Sequence, residues 1–274
     1  MTQVPAIALN DGTTIPQLAF GTWQVPDADV TAAVEHALET GYRHLDTAAI
    51  YGNEAGVGRA IANGGVPRDE LYVTTKLWND VHRKADARRA IETSLEKLGL
   101  DHVDLYLIHW PSTVKHGDAY IEAWDALQEF KAEGLATSIG VSNFHAAHLD
   151  AISGEVPVVN QVEVHPTFAQ VPLRALCEER GIKVESWSPL GSGADLGNGE
   201  LASIAGTVGK SVAQVIIRWH LQHGLIVLPK SVTPARIEEN FDVFDFELDA
   251  DTMARIDALD AGNRVGSDPD TADF

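Results

Sequence analysis

From Leu18 onward, short apolar runs alternate with longer stretches in which apolar residues recur at three- and four-residue intervals. The short runs end near Gly21, Asp46, Lys76, His109, Ser142, Glu163, Trp187 and Lys230, and each reads as a buried strand. Helical patterns fall at about 28–40, 53–63, 84–98, 118–133, 145–153, 170–180, 199–222, 234–241 and 249–259. Upstream, residues 6–17 hold two short β-like runs around Asn10-Asp11-Gly12, a hairpin signal. Eight strand–helix repeats with no hairpin after residue 17 predict parallel strands, and eight such strands close a barrel. The expectation is a single (β/α)8 domain over residues 1–274, with the N-terminal hairpin plugging the bottom of the barrel; a doubly wound open sheet is the alternative.

The length of 274 residues, 45% of them hydrophobic, suffices for one large core, and no Pro/Gly/Ser-rich linker divides the chain. Charge narrows the partners. With 40 acidic against 20 basic residues the net charge is −20, which repels phosphate backbones and anionic membranes and argues against nucleic-acid or lipid-surface binding. The one cysteine, Cys177, sits in a helical context and permits no internal disulfide. The N-terminus carries no basic leader, and no apolar run reaches membrane-spanning length. A soluble, cytoplasmic monomer is expected.

The presumed strand exits are polar where strands themselves are apolar. In a barrel, catalytic groups sit at those exits, and here they would bring together Asp46, Lys76, His109 and, five residues past Asp46, Tyr51. Each alone has an ordinary explanation: a buried ion pair, a packed phenol, a core histidine. Converging on one rim, they form a chemical set. A phenol is protonated up to about pH 10, and an ammonium beside it lowers that value. Lys76 would act in this way on Tyr51, Asp46 would keep Lys76 charged, and His109 could hydrogen-bond a carbonyl oxygen. Such a site suits carbonyl reduction, with the hydride drawn from a cofactor because no side chain supplies one.

Two glycine patterns fail as a dinucleotide fingerprint. Gly56-Val-Gly58 lies inside a helical stretch and reads as helix packing, and Gly191-Ser-Gly193-Ala-Asp-Leu-Gly197 misses the spacing by one residue. A better phosphate candidate is 228–240, where Lys230, Ser231, Thr233 and Arg236 surround a helix start with Pro234 in its first turn. The pairs His145/His148 and His220/His223 have helical spacing but no carboxylate or cysteine in a ligand pattern, so no metal is expected. Trp23, Trp78, Trp110 and Trp187 each lie beside a presumed strand exit and suggest an aromatic-walled substrate pocket.

With these residues assembled, the chain resembles the aldo-keto reductases over nearly its whole length. The matching motifs are Gly-Tyr-Arg-His-Leu-Asp-Thr-Ala-Ala-Ile-Tyr-Gly-Asn-Glu (41–54), Thr-Thr-Lys-Leu-Trp (74–78), Asp-Leu-Tyr-Leu-Ile-His-Trp-Pro (104–111), Gly-Val-Ser-Asn-Phe (140–144), Asn-Gln-Val-Glu-Val-His-Pro (160–166) and Pro-Lys-Ser (229–231). Within the family it looks most like the bacterial 2,5-diketo-D-gluconate reductases, notably in Glu-Ser-Trp-Ser-Pro-Leu-Gly (185–191). The resemblance implies a (β/α)8 TIM barrel binding NADPH across its rim. It implies Tyr51 as general acid, Lys76 and Asp46 as its tuning pair, and His109 as the group orienting the substrate carbonyl. Ser142, Asn143 and Gln161 would hold the nicotinamide carboxamide, and Trp187 would stack on its ring, with Ser188 and Leu190 nearby. Lys230, Ser231 and Arg236 would take the adenosine 2′-phosphate, with Glu239 and Asn240 near the adenine and Val232 and Thr233 also among the cofactor-binding residues. The segment 112–118 and the C-terminal tail match no assignable substrate loop, so small aldehydes, ketones, dicarbonyls and keto sugars remain open as substrates. Two other readings stand beside it: a cofactor-binding regulatory barrel with little turnover, and a barrel aldolase or isomerase using Lys76 as a Schiff base.

Overall fold

The computed structural model describes residues 4–274. Asn10 and Asp11 turn the chain so that β1 (Ala6–Ala8) and β2 (Thr14–Pro16) pair antiparallel, Ile7 opposite Ile15. The turn holds because Asp11 Oδ1 accepts from the Thr13 N–H at 3.0 Å and Gly12 takes φ +88°, a conformation glycine adopts without steric cost. Leu9 and Ile15 of this hairpin pack with Leu105, Leu107, Val159 and Ile226 inside the ring of strands. The hairpin therefore stops one end of the ring, as the sequence pattern predicts.

Eight parallel strands follow: β3 (Ala19–Gly21), β4 (His44–Asp46), β5 (Tyr72–Leu77), β6 (Val103–Ile108), β7 (Ala136–Ser142), β8 (Val159–Glu163), β9 (Lys183–Trp187) and β10 (Ile226–Val227). Each pairs with its sequence neighbour. The ring closes through a parallel bridge between Leu18 and Val227 and through the Gly21 N–H donating to Pro229 O at 3.1 Å. The architecture is a (β/α)8 barrel and not an open sheet. Its strands are buried on both faces because one face meets the interior and the other meets helices. Val73, Ile139 and Val141, for example, turn outward into the main core with Val34, Ile91, Trp124 and Leu127.

The structure departs from the expected elements in three places. The stretch 199–222 is two helices, Gly199–Val208 and Val212–Gln222. Gly209, at φ +69°, ends the first; Ser211 caps the second, exchanging hydrogen bonds with Gln214. The last strand stops at Val227 instead of Lys230, because Pro229 has no N–H for the ladder. A four-residue helix, Thr113–His116, also precedes helix Ala119–Ala132. No helix among the described residues is long and apolar enough to cross a membrane.

Candidate active site

The strands deliver their polar ends to one rim. Asp46 is the last residue of β4, and three residues later the chain forms a 3-10 turn, Ala49–Tyr51, stopped by Gly52 at φ +69°. Buried Asn53 braces that turn: its Nδ2 donates to Thr22 O and Val25 O, and its Oδ1 accepts from Thr47 Oγ1. Tyr51 is thereby held over β5. Lys76 Nζ donates to Asp46 Oδ1 at 2.7 Å and to Thr47 O at 2.9 Å, and lies 3.4 Å from the Tyr51 hydroxyl. His109, one residue past β6, packs edge-on against Tyr51, ring centroids 5.6 Å apart. All four residues proposed for catalysis meet.

Their electrostatics differ in one respect from the sequence expectation. Lys76 is wholly buried, and burial disfavours its charge, but the acidic groups around it, Asp46 foremost, together outweigh this and raise its pKa. Lys76 does pull the Tyr51 pKa down, yet burial pulls harder the other way and the phenol is pushed up to about 12. Tyr51 is therefore a fully protonated acid across the physiological range. Burial, reinforced by Lys76, drops the His109 pKa well below the ordinary imidazole value, so His109 is neutral and carries one N–H to donate.

A cavity of about 660 Å³ opens above this cluster. Asp46, Tyr51 and His109 form its floor. Trp23, Trp78 and Trp110 line one part of it, while Ser142, Asn143, Gln161, Trp187, Ser188 and Leu190 line another, and it runs to Lys230. Four of the six non-glycine residues with φ in the left-handed region, Gln24, Asn143, Ser188 and Ser192, line it too; strained backbone concentrates where side chains must be aimed. Asn143 is tied from three sides, donating to His109 O and Ser142 Oγ and accepting from Trp187 Nε1 at 2.9 Å. Gln161 Nε2 donates to Asp46 Oδ2.

Beyond Lys230 the cavity gives way to surface. Val232, Thr233 and Arg236 are exposed, Ser231 is buried with its hydroxyl accepting from the Thr233 N–H, and Glu239 and buried Asn240 follow on helix Pro234–Phe241. No side chain caps that helix, and among the described residues neither Lys230 nor Arg236 has a carboxylate within ion-pair distance. The groups suit NADPH: an amide and an indole on the cavity wall for a nicotinamide, and two free cations at an uncapped helix start for a phosphate.

The two histidine pairs turn out differently from each other. His220 is buried against backbone carbonyls of Ile216 and Val164. His145 and His148 meet Asp270, and Asp268 comes near, from the C-terminal tail; those partners lie too far along the chain for spacing to find. The tail supplies more of the site. Val265, Gly266, Ser267 and Phe274 line the cavity. Phe274 stacks on Trp78 and meets Trp110 edge-on, its backbone oxygen held by Ser112 Oγ at 2.9 Å and Asn79 Nδ2 at 3.2 Å. Glu163 receives the N–H groups of Val265 and Gly266, while His165 bridges Glu163 and Asp195. Gly266 is required there, because a Cβ would sit 2.3 Å from the Trp187 ring. Nothing in the sequence pattern of the tail announces these contacts.

The Aldo/keto reductase family model matches residues 17–261. Among curated proteins, methylglyoxal reductase DkgA of Escherichia coli K12 is 49% identical, with 98% of each chain covered. A crystal structure of a Gox0644 mutant in complex with NADPH superposes with TM-score 0.95 at 45% identity, covering 100% of both chains. A Bombyx mori aldo-keto reductase in complex with NADP gives TM-score 0.90 at 42% identity, covering 98% of this chain and 97% of that one.

Proposed function

Because the chain belongs to the aldo-keto reductase family, we propose that it reduces small aldehydes, ketones, dicarbonyls or keto sugars to alcohols with NADPH, Tyr51 giving the proton. The observation that carries this reading is the contact of a protonated phenol, a buried ammonium paired to a carboxylate, and a neutral imidazole on the floor of one cavity. Bound NADPH supplies the hydride that goes to the carbonyl carbon. Tyr51 gives its hydroxyl proton to the carbonyl oxygen, and the phenolate left behind lies beside Lys76, whose charge Asp46 maintains. Neutral His109 donates a hydrogen bond to the same oxygen and stabilises the charge that grows there. Ser142, Asn143 and Gln161 would hold the nicotinamide carboxamide and Trp187 would stack on its ring, while Lys230, Ser231 and Arg236 would take the 2′-phosphate.

Support for the substrate class comes from the relative described as a methylglyoxal reductase and from the aromatic lining of Trp23, Trp78, Trp110 and Phe274. The Schiff-base reading fares worse: a Lys76 with a raised pKa and three hydrogen-bond contacts is not the free amine that such chemistry needs. The test is Tyr51→Phe, assayed with methylglyoxal and 2,5-diketo-D-gluconate. The expected result is a fall in kcat of about 10²–10⁴, the usual worth of a positioned proton donor, with the NADPH Kd unchanged. Undiminished turnover in that variant would remove Tyr51 from the role. Tight NADPH binding by the wild type with no reduction of any carbonyl panel member would instead favour the regulatory-barrel reading.

A further inference from the structure

Inside the barrel, below the cavity, lies a carboxyl group for which the proposed reaction has no use. Glu185, on β9, has no exposure at all and is the register partner of Gln161 on β8. Gln161 Nε2 donates at 2.8 Å to Glu185 Oε2 and, across the barrel, at 2.8 Å to Asp46 Oδ2. Both amide hydrogens are thus spent on carboxyl oxygens, and the amide carbonyl is the group Gln161 has left for the cavity it lines. We propose that Glu185 is a positioning residue for cofactor binding, fixing the Gln161 amide in the one orientation that presents its carbonyl oxygen to the N–H of the nicotinamide carboxamide. This rests on the NADPH reading above.

The geometry allows no second orientation. Turned over, the amide would set its oxygen against the Asp46 carboxylate and take its hydrogens away from both acceptors. Asp46 alone could hold only one of them, and the amide could then swing.

Glu185 can do this because it is neutral. The groups facing it are Asp46 and His44 from β4, Lys76 and Tyr72 from β5, and Tyr51 above. Among these only Lys76 is a cation, and Asp46 already engages it. Burial first, and then the Asp46 charge, raise the Glu185 pKa to about 8. Its second oxygen, Oε1, accepts no hydrogen bond and lies 3.6 Å from His44 Nε2. His44 is itself held neutral, its pKa pushed by burial down to about 3, with Nδ1 3.3 Å from the Pro16 carbonyl. With the His44 proton on Nδ1, Nε2 accepts from Thr74 Oγ1 at 3.0 Å, so His44 gives Glu185 Oε1 no hydrogen that would favour its charged form. The interior then holds one ammonium, one carboxylate and a neutral acid–imidazole pair.

The experiment compares Glu185→Gln, Glu185→Leu and Gln161→Leu for NADPH affinity by tryptophan-fluorescence quenching, and records the infrared spectrum of each without cofactor. Glutamine at 185 keeps an acceptor for Gln161, so NADPH Kd stays within about twofold. Leucine removes the acceptor, and Kd rises about tenfold, the order of one lost buried hydrogen bond. The wild type at neutral pH shows the carbonyl stretch of a protonated carboxylic acid, which fades as pH rises past 8 and is missing in Glu185→Gln. Equal weakening in both Glu185 variants, affinity unaltered in Glu185→Leu, or no such band lost in Glu185→Gln would each overturn the proposal. Gln161→Leu separates the two levels. If it weakens NADPH while neither Glu185 variant does, only the positioning role falls; if it leaves NADPH binding intact, the assignment of Gln161 to the carboxamide falls and takes this role with it. Should Glu185→Leu fail to fold, Glu185→Gln and its infrared band still decide.

Discussion

Lys76 shows how much a single residue can be made to carry. An unexposed ammonium is costly unless paired, and its partner Asp46 comes from the neighbouring strand, which is why the pair was legible: an ionisable residue ending an apolar run is rarely idle. The same signal revealed Tyr51 and His109. It did not reveal Glu185, because Lys183-Val-Glu-Ser-Trp alternates like any strand with a wet face, and only the stagger of a closed barrel decides that Glu185 looks inward. Nor did it give the direction in which Tyr51 titrates, since that is a contest between burial and an adjacent cation that residue types alone do not settle. At and beyond the far end of the cavity, cofactor choice falls, on the proposed reading, to the two unpaired cations, Lys230 and Arg236. Arg236→Ala is expected to weaken NADPH by about tenfold, the order of one charge-assisted hydrogen bond, and to leave NADH unchanged; equal losses for both cofactors in a binding titration would place the 2′-phosphate elsewhere.

At the level of elements, the alternation of strand and helix periods gave the order and parallel direction of the strands, and the hairpin plug was readable from Asn10-Asp11-Gly12. What escaped was the break between Gly199–Val208 and Val212–Gln222, although Gly209 and the Ser211–Gln214 cap are stop and start signals in the sequence. The tail escaped for a better reason: it has no period, and its fixed points are side chains elsewhere, namely Glu163, Ser112 and Asn79. The glycines of Gly56-Val-Gly58 serve helix packing. A Cβ at Gly58 would stand 2.6 Å from Leu98 O and 2.7 Å from Lys97 O, so helix Glu54–Asn63 crosses the end of helix Lys84–Leu98 at backbone contact. Since backbone cannot give way as a side chain does, Gly58→Ala should cost about 1–3 kcal/mol in urea unfolding; a cost under 0.5 kcal/mol, the range of neutral surface changes, would contradict the packing.

For the whole molecule, burial of histidines sets the pH range of stability. His44, His82, His109 and His220 all have pKa values lowered by burial, to about 3 for His44 and about 4 for His82 and His220. Each contributes stability that is complete above the unfolded value near 6.5 and is lost as pH falls below it, up to about 2 kcal/mol apiece at pH 5. His165, raised to about 9 against burial by the hydrogen bonds it donates to Asp195 and Glu163, and Glu185, raised to about 8 by burial, work in the opposite sense. Their contributions are complete below the unfolded values and fade as pH climbs through 8 and 9. The unfolding free energy is therefore expected to peak near neutrality and to be lower at both pH 5 and pH 10; a profile still rising at either end would refute this balance. The seam at Leu18 and Val227 carries a different consequence. A ribosome makes Leu18 early and Val227 late, so the first strand must wait, edge bare, while most of the polypeptide emerges. The Gly21–Pro229 bond that finishes the ring lies one residue before Lys230, so the cation proposed for the dinucleotide is made only as the circle is completed.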